Sequence, residues 1–483
     1  MRHPFPMDLV LDAERAPGYG VREHLVEQLR AVILAGQARA TEPLPSTRSL
    51  AAAVGVSRGT VVAAYEELAG EGYVTIVPGS GTFVAADLPA ASSSPSPSTA
   101  RGAAETFTRA QEPPRRTINL SPGSPAAPLH RNHEWKVAWR EAARRELPDL
   151  PPPPAGEAEF RAAIADHLSA ARGVQCAAND IVVTAGARDG LGLLVHALQG
   201  DRSTGIRIAT ESPGHHASRA VISRLGAIPV PIPVRDGGMD VDRLADASGP
   251  FAAALVTPSH QYPLGGRLPV PSRLALLKWA KCTGAVVVED DYDSEFRHGA
   301  PSLPAIASLN DEGRVVLVGT LSKTVSPWLR CGYLLVRDDE LRARVLETRE
   351  VLGHPVSGIV QIALSEFLRT GGLRRHLVRV AREYAHRRGL VIEATADLAP
   401  RIRLDAIEGG LHATLSWENG GPDESVVEAL AREGVEVAPL SACYYGPTEP
   451  ERRGIVFGYG APTDLELRTA LDAIRDALAP QRN

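Results

Sequence analysis

The chain has 483 residues, which is too long for one ordinary domain and predicts two or three. With 44% hydrophobic and 23% charged residues, its composition is globular, and a net charge of -5 argues against a broadly basic nucleic-acid binder or a membrane-surface protein. The four cysteines are far apart and form no CxxC pair, so we expect neither a disulfide framework nor a metal site.

The sequence also predicts where the protein resides. The N-terminal stretch has no apolar segment of the secretory type, and no apolar run is long enough to span a bilayer. Dispersed cysteines suit a reducing compartment. We therefore expect a cytoplasmic protein without a membrane partner.

Residues 17–86 predict a small domain that opens with helices. Apolar residues recur at helical spacing over residues 20–36, which predicts a first helix that ends near Gly36. Ser46 is the expected N-cap of a second helix. The residues of this second helix that we expect to face inward are Leu50, Ala53 and Val54.

A tight turn and a third helix follow. Gly55 permits the turn, and Ser57 is placed to cap the helix that begins after it. Two short strands then flank the sequence "PGSG" at 78–81, which predicts a β-hairpin. Two helices joined by a glycine turn and followed by a hairpin are typical of a winged helix-turn-helix that reads DNA.

The start of the third helix carries the predicted DNA-reading residues. Recognition helices place their N-terminal residues at the base edges, where Arg58 can donate two hydrogen bonds to a guanine. Free amides at this helix end also suit a phosphate, and Arg48 could hold the DNA backbone from the preceding helix. The predicted DNA contacts are Arg48, Ser57, Arg58, Gly59 and Thr60, with Ser80 and Gly81 on the wing.

The pattern "LPSTRSLA…VSRGTVVAAYEELAGEGYV…GSGTFV" resembles the GntR-type winged helix. This resemblance implies that the domain binds a double-stranded DNA operator. Residues 17–86 contain five arginines and no lysine against six glutamates, and the wing lacks the arginine that many relatives carry. We therefore expect a weak grip on phosphate, or binding only as a dimer. The alternative is a winged helix that makes protein contacts.

The remainder of the chain predicts a linker and a large domain. Residues 87–117 are rich in Ser, Pro and Ala with almost no large apolar residues, which predicts a flexible linker. Over residues 118–483, short Val- and Ile-rich runs alternate with helical segments, which predicts an α/β fold with a mainly parallel sheet. Ligands of such sheets bind beyond the C-terminal ends of the strands, where this chain places polar clusters.

The polar clusters together offer the groups that pyridoxal 5'-phosphate requires. A lysine can form a Schiff base with the cofactor, a carboxylate can keep its ring nitrogen protonated, and a phenol can bond its ring hydroxyl. Amides, hydroxyls and an arginine can hold its phosphate. Alone, each of these side chains is more often a solvated charge or a cap, but their order favours a cofactor site. The residues concerned are Ala187, Arg188, His260, Asp290, Tyr292, Thr320, Ser322, Lys323 and Arg330.

The segments "EDDYDSEFR" and "GTLSKTVSPWLRCGYLLV" are similar to signature segments of fold-type I aminotransferases, and the resemblance covers nearly all of the large domain. It implies that Lys323 is the cofactor lysine, that Asp290 pairs with the pyridinium nitrogen and that Tyr292 bonds the ring hydroxyl. Residues 335–480 would form the small α+β domain of this fold. The phosphate contacts that the resemblance implies are Ala187, Arg188, Thr320, Ser322 and Arg330.

The chain also departs from these relatives. His215 stands where they commonly place a tyrosine that stacks on the cofactor ring, and Arg188 stands where glutamine is usual. The arginine that binders of simple amino acids often carry near Ala442 is missing, so Arg219 is the candidate that holds an effector carboxylate. We expect His412 to be a satisfied structural histidine rather than a catalyst.

A GntR-type winged helix joined through a linker to an aminotransferase-like domain resembles the MocR family of bacterial transcription regulators. The resemblance implies that the large domain senses an amino compound or pyridoxal phosphate, and that the chain forms a head-to-tail homodimer. Two alternatives stay open. One is a catalytically active aminotransferase with an appended DNA-binding domain; the other is a DNA-binding module whose large domain dimerises and binds no cofactor.

Overall fold

The computed structural model describes residues 21–86, 117–126, 132–200, 205–297, 304–309, 313–418, 421–445 and 452–479. The chain divides into two compact units, residues 1–111 and 112–483. The predicted linker lies outside the described residues except for its last position, as do residues 17–20 of the predicted DNA-binding domain. Among the described helices, none is both long enough and apolar enough to cross a membrane.

Three helices and a hairpin make up the described part of the N-terminal unit. They are α1 (Val21–Leu34), α2 (Thr47–Val54), α3 (Arg58–Gly70), β1 (Val74–Val77) and β2 (Gly81–Val84). The Oγ of Ser46 accepts a hydrogen bond from the amide of Ser49 at 3.2 Å and starts α2, which ends at Gly55 with a left-handed φ of 72°. The Oγ of Ser57 likewise accepts from the amide of Thr60 at 3.1 Å and starts α3.

The predicted inward face of α2 is wrong at one position. Leu50 and Val54 are buried as expected, but Ala53 is exposed and Ala51 is buried instead. Leu50, Ala51 and Val54 form one apolar stripe along this short helix, and Ala53 lies outside that stripe. The main partners of the stripe in the core of the unit are Leu25, Leu29, Val61, Tyr65 and Leu68.

The C-terminal unit contains two main sheets. Its strands are β3 (Ile118–Asn119), β4 (Ile181–Thr184), β5 (Arg207–Ser212), β6 (Ile228–Arg235), β7 (Gly238–Met239), β8 (Ala253–Val256), β9 (Val286–Asp291), β10 (Val315–Thr320), β11 (Gly332–Val336), β12 (Arg403–Asp405), β13 (His412–Trp417), β14 (Val435–Glu436), β15 (Ala438–Pro439) and β16 (Arg453–Gly458). The large sheet has the order β4-β11-β10-β9-β8-β5-β6-β7. Strands β6, β5, β8, β9 and β10 run parallel, and β11 is antiparallel to both of its neighbours. The predicted mainly parallel sheet is therefore confirmed.

Helices cover both faces of the large sheet. The helices of the unit are α4 (His133–Arg144), α5 (Ala158–Arg172), α6 (Ala187–Gln199), α7 (His216–Arg224), α8 (Val241–Asp246), α9 (Val270–Thr283), α10 (Ile306–Leu309), α11 (Asp339–Leu352), α12 (Gly358–Arg369), α13 (Gly372–Thr395), α14 (Asp423–Arg432) and α15 (Asp464–Leu478). In β10, Val315 and Leu317 belong to one buried cluster, and Val316 and Val318 belong to another. A strand that is buried on both faces needs apolar side chains at successive positions, which explains the uninterrupted apolar run Val315–Val318 in β10.

The smaller sheet has the order β12-β13-β16-β15 and is antiparallel. Residues of α13, α14 and α15 pack with it in a third core cluster. The short strand β3 pairs in parallel with β14, with Ile118 opposite Val435. The first described residues of the C-terminal unit are therefore tied to its smaller α+β part.

Candidate cofactor and DNA-binding sites

Lys323 lies in the turn that follows β10, at the C-terminal end of the parallel strands. Its amine lies against Gly123, so closely that a Cβ at position 123 would lie 2.6 Å from Nζ. Burial lowers the pKa of Lys323, the carboxylates of Asp293 and Asp290 oppose that shift, and the guanidinium of Arg188 adds to it. The depressed pKa favours the neutral amine, which is the nucleophilic form that a Schiff base needs.

Asp290 is the last residue but one of the neighbouring strand β9; its side chain is half-buried, and its Oδ1 atom is fully buried. Its Oδ1 has no hydrogen-bond partner among the described residues. Burial, together with the nearby charges of Asp291, Asp293 and Glu211 and against that of Lys323, raises the pKa of Asp290 to about 7. A buried carboxyl oxygen without a partner fits a ligand that brings a proton, such as a protonated ring nitrogen.

A cavity joins Asp290 to the residues expected to hold the ring and the effector. Asp290, Glu211, His215, Arg219 and Tyr445 are among its lining residues. Burial, together with the positive charges of the neighbouring His216, Arg188, Lys323 and Arg219, lowers the pKa of His215 to about 3. A neutral imidazole at this position can stack on an aromatic cofactor, although with a smaller face than a tyrosine.

Tyr292 and His260 meet beside this cavity. The hydroxyl of Tyr292 lies 3.0 Å from the carbonyl oxygen of His260 and 3.1 Å from its Nδ1. The same Nδ1 lies 2.8 Å from Oδ2 of Asp293. The imidazole of His412 packs 5.0 Å from that of His260, and Tyr262 lies 5.2 Å from His412 between ring centroids.

Two members of this cluster, Asp293 and Tyr262, were not predicted from the sequence. His412 was expected to be satisfied, yet its Nε2 has no partner in the described part of the chain, and neither has Nε2 of His260. Candidate metal-ligand atoms of His260, Asp293 and His412 lie within 4.8 Å of one another. The hydrogen bond between His260 and Asp293 already joins two of these side chains, so we interpret the group as a positioned imidazole beside the ring site.

The predicted phosphate residues lie around the start of α6. Gly186 precedes this helix with φ 93°, and a Cβ there would lie 3.8 Å from Oγ of Ser322. The Oγ1 of Thr320 accepts a hydrogen bond from the amide of Ser322 at 3.1 Å. Ser322 thus reaches the helix start at Ala187, where unpaired amides favour an anion.

The two arginines predicted for the phosphate are less fixed. Arg188 is exposed and lies near enough to Lys323 and His215 to lower the pKa of both. Arg330 is exposed in a left-handed conformation with φ 47°, and its side chain makes no hydrogen bond within the described residues. Both guanidinium groups are available to a phosphate, but the protein alone holds neither of them against the helix start.

Arg219 projects from α7 toward the C-terminal loop. Its guanidinium donates to the carbonyl oxygens of Ala442 at 3.3 Å and Cys443 at 3.5 Å, and it lies over the ring of Tyr445. These carbonyl contacts are long and uncharged. A ligand carboxylate in the adjacent cavity would make a stronger, charge-assisted contact with the same group.

The arginines of the N-terminal unit fall into two groups. Arg22 pairs with Glu67 at 3.3 Å, and Arg30 pairs with Glu71 at 2.7 Å, so these charges are neutralised between α1 and α3. Arg48 and Arg58 form no ion pair within the described residues. The near-zero net charge of the unit therefore does not mean that Arg48 and Arg58 are neutralised, and both are exposed.

The predicted DNA-reading residues lie at the starts of α2 and α3 and at the tip of the hairpin. Arg58 is exposed, and its Nε donates to Oγ1 of Thr47 at 3.3 Å, which links the start of α3 to the start of α2. Gly59 and Thr60 continue the first turn of α3 behind the cap. Ser80 and Gly81 are exposed at the tip of the hairpin.

Comparison with known proteins defines the class of each unit. Residues 21–84 match the family described as bacterial regulatory proteins, gntR family, and residues 116–474 match aminotransferase class I and II. The chain is 41% identical over 456 residues to the HTH-type pyridoxine biosynthesis transcriptional regulator PdxR of Corynebacterium glutamicum, with 94% of this chain and 95% of that protein covered. It is 33% identical over 484 residues to the probable rhizopine catabolism regulatory protein MocR of Rhizobium meliloti, with 97% and 95% covered.

Solved structures agree on the fold of the C-terminal unit. An archaeal alanine:glyoxylate aminotransferase superposes with a TM-score of 0.69 at 23% identity, over 75% of this chain and 91% of that one. The kynurenine aminotransferase of Pyrococcus horikoshii gives a TM-score of 0.68 at 20% identity, over 77% and 92%. The protein is thus a DNA-binding regulator that carries an aminotransferase fold of type I. It belongs to the family of HTH-type transcriptional regulators that includes MocR and PdxR.

Proposed function

We propose that the C-terminal unit binds pyridoxal 5'-phosphate and uses it to sense a primary amine, and that the bound state changes the affinity of the winged helix for its operator. The observation that carries the proposal is the unpartnered, buried Oδ1 of Asp290 beside a partly buried Lys323 of lowered pKa. When bound, the cofactor supplies an aldehyde that condenses with amines and an electron-poor ring.

Each residue has a separate task in this proposal. Asp290 keeps the ring nitrogen protonated, because an ionised carboxylate in a buried site favours a proton on its partner. Tyr292 is oriented by His260 toward the ring hydroxyl, and neutral His215 packs against the ring face. The amides at the start of α6 and the hydroxyl of Ser322 hold the phosphate. Lys323 provides the amine that attaches the cofactor.

A sensed compound must bind one state of the regulator better than the other, because equal affinity for both would shift nothing. The compound must carry a primary amine, since it competes with Lys323 for the same position. An acid group on the compound would be held by Arg219, which lines the cavity that reaches Asp290. We propose residues 17–86 and 118–483 as the two domains and 87–117 as their linker.

A dimer is part of the proposal. The GntR-type unit implies DNA binding, and two available arginines in one copy make a weak grip on phosphate. Two copies related by a twofold axis would double that grip and read two half-sites of a palindromic operator. We propose a head-to-tail arrangement of the large domains.

The direct test of cofactor attachment uses the small number of lysines. The chain has four, at positions 136, 278, 281 and 323. The protein is incubated with pyridoxal phosphate, reduced with borohydride and digested, and the pyridoxyl group is located by mass spectrometry. We expect the label on Lys323 at one group per chain. Labelling spread over the exposed lysines, with Lys323 unmodified, would contradict the proposal.

A second candidate function is amino-group transfer. It is favoured by the lysine, carboxylate and phenol that the fold brings together and by the aminotransferase fold itself. A steady-state assay with amino donors and a keto acid separates the two functions. Turnover at rates typical of enzymes, on the order of 1 per second or more, would make sensing secondary.

A further inference from the structure

The amine of Lys323 is bounded by a glycine about 200 positions earlier in the chain. A Cβ added to Gly123 would lie 2.6 Å from Nζ, 3.1 Å from Cε and 3.5 Å from Cδ of Lys323. Gly123 also has a left-handed φ of 76°. Gly284 has nearly the same φ, 75°, but a Cβ there would meet no atom within 4 Å. The left-handed backbone conformation alone therefore does not account for the close approach of Gly123 to Lys323.

The loop that carries Gly123 is anchored from behind. The amide of Ala126 donates to the buried hydroxyl of Tyr384 at 2.9 Å, and the amide of Gly458 donates to the carbonyl of Leu120 at 2.7 Å. A Cβ at Gly460 would lie 2.6 Å from the carbonyl oxygen of Ser124. Such contacts leave the loop little room to move away from Lys323.

We infer that Gly123 is a specificity-determining residue, which limits the size of the group next to the amine of any compound that reaches the position of Lys323. This inference rests on the proposed sensing function. The nitrogen of an incoming amine must take the place of Nζ, so substituents on its neighbouring carbon lie in the space beside Gly123. With an anchored loop, each added branch must displace packed atoms, and one methyl group costs about tenfold or more in affinity.

The effector class that follows is a primary amine on a carbon with few branches. Glycine, L-alanine and 2-aminoisobutyrate test this directly, because they share an amine and an acid group and carry zero, one and two methyl groups on the same carbon. Their apparent affinities are measured from the change in cofactor absorbance on titration. For the natural protein we expect affinity to fall along the series, by about tenfold or more per methyl group. Equal affinities for all three compounds would overturn the inference.

With the substitution Gly123→Ala, affinity should fall even more strongly from glycine to L-alanine to 2-aminoisobutyrate. Gly284→Ala is the matched control, because it imposes the same backbone strain in a place where the added methyl group meets nothing. We expect Gly284→Ala to retain the affinities of the natural protein and Gly123→Ala to lose affinity even for glycine, with the larger losses for the branched compounds. If the affinities of Gly123→Ala for the three amines fell by the same factors as those of the natural protein, the inference would be overturned.

The outcomes separate the inference from the function on which it rests. If the natural protein shows no cofactor absorbance, or no change with any amine, the proposed function fails. If the natural protein responds and the branched amines respond equally well, only the role of Gly123 fails. Should Gly123→Ala not fold, the series measured on the natural protein still decides the question.

Discussion

The guanidinium of Arg219 lies over the ring of Tyr445, with Cζ 4.1 Å from the ring centroid. This contact joins α7 of the large domain to the loop that follows β15 in the smaller part of the same unit. Both residues line the cavity that contains Asp290. A ligand that binds Arg219 therefore lies between two parts of the unit. We expect this pair of residues to bind the acid group of an effector.

Replacing Arg219 with methionine should weaken the response to amines that carry an acid group. The loss of a charged hydrogen bond corresponds to about 1.5–3 kcal/mol. The response to propylamine, which has no acid group, should be unchanged relative to that of the natural protein. Arg224→Met, an exposed arginine on the same helix, is the control. β-Alanine serves as the amine that carries an acid group. If Arg219→Met weakened the responses to β-alanine and to propylamine equally, Arg219 would not be the residue that recognises the acid group.

Arg58→Ala should weaken operator binding by about 1–3 kcal/mol and relax sequence preference, because the substitution removes a bidentate hydrogen-bonded contact to a base. Folding should be little affected, since Arg58 is exposed and makes only a long hydrogen bond to Thr47. Gel-shift titration with specific and scrambled DNA measures both effects.

Arg22→Ala is the matched control for Arg58→Ala. Arg22 is also exposed, but its guanidinium is paired with Glu67 at 3.3 Å. We expect operator affinity to be nearly unchanged in this variant. If the two substitutions weakened binding equally and without sequence dependence, the reading surface would lie elsewhere.

Local features of this fold were predictable from the sequence, and contacts between distant segments were not. Ser46 and Ser57 start their helices through hydrogen bonds within three residues, so the sequence alone reveals them. Parallel topology places strand ends along one edge, which is why Asp290 and Lys323 could be expected near each other.

Other contacts depend on segments far apart in the chain, for which no local pattern exists. The approach of Gly123 to Lys323, and that of His412 to His260, arises only when the smaller α+β part packs on the large sheet. The exchange of Ala53 for Ala51 in the core of the N-terminal unit has another cause. Ala51 and Ala53 lie on opposite sides of the line through Leu50 and Val54, so helical spacing alone does not decide between them, and the packing of the unit buries Ala51.

Three buried carboxyl groups should lower the stability of the cofactor-free protein as pH rises from about 4 to about 7, whereas His215 and His412, whose pKa values burial lowers from 6.5, act in the opposite direction over most of this range. Burial raises the pKa of Glu211, Glu289 and Asp290 to about 7 in the folded protein. In this window the folded state keeps protons on these carboxyl groups that the unfolded state has lost, so their contribution favours unfolding as the pH rises. The free energy of unfolding, measured by denaturant titration at several pH values, gives the net slope of these opposing contributions.

Asp290→Asn should remove the contribution of this carboxyl, so that stability falls less, or rises more, as the pH is raised, because the amide cannot ionise. Bound pyridoxal phosphate should have a similar effect in the natural protein, since a protonated ring nitrogen stabilises the ionised carboxylate. Asp242→Asn, at an exposed position on α8, serves as the control and should leave the slope unchanged. A slope that Asp290→Asn leaves intact would show that this carboxyl is already ionised in the cofactor-free state.

We propose that an amine changes DNA binding through the cofactor on Lys323. The decisive experiment measures the operator affinity of the natural protein and of Lys323→Ala, each in the presence of pyridoxal phosphate, with and without a saturating amine. Lys278→Ala serves as the control for the loss of a lysine. We predict that the amine changes operator affinity in the natural protein and in Lys278→Ala, and that Lys323→Ala binds the operator but does not respond. A full response in Lys323→Ala would contradict the account.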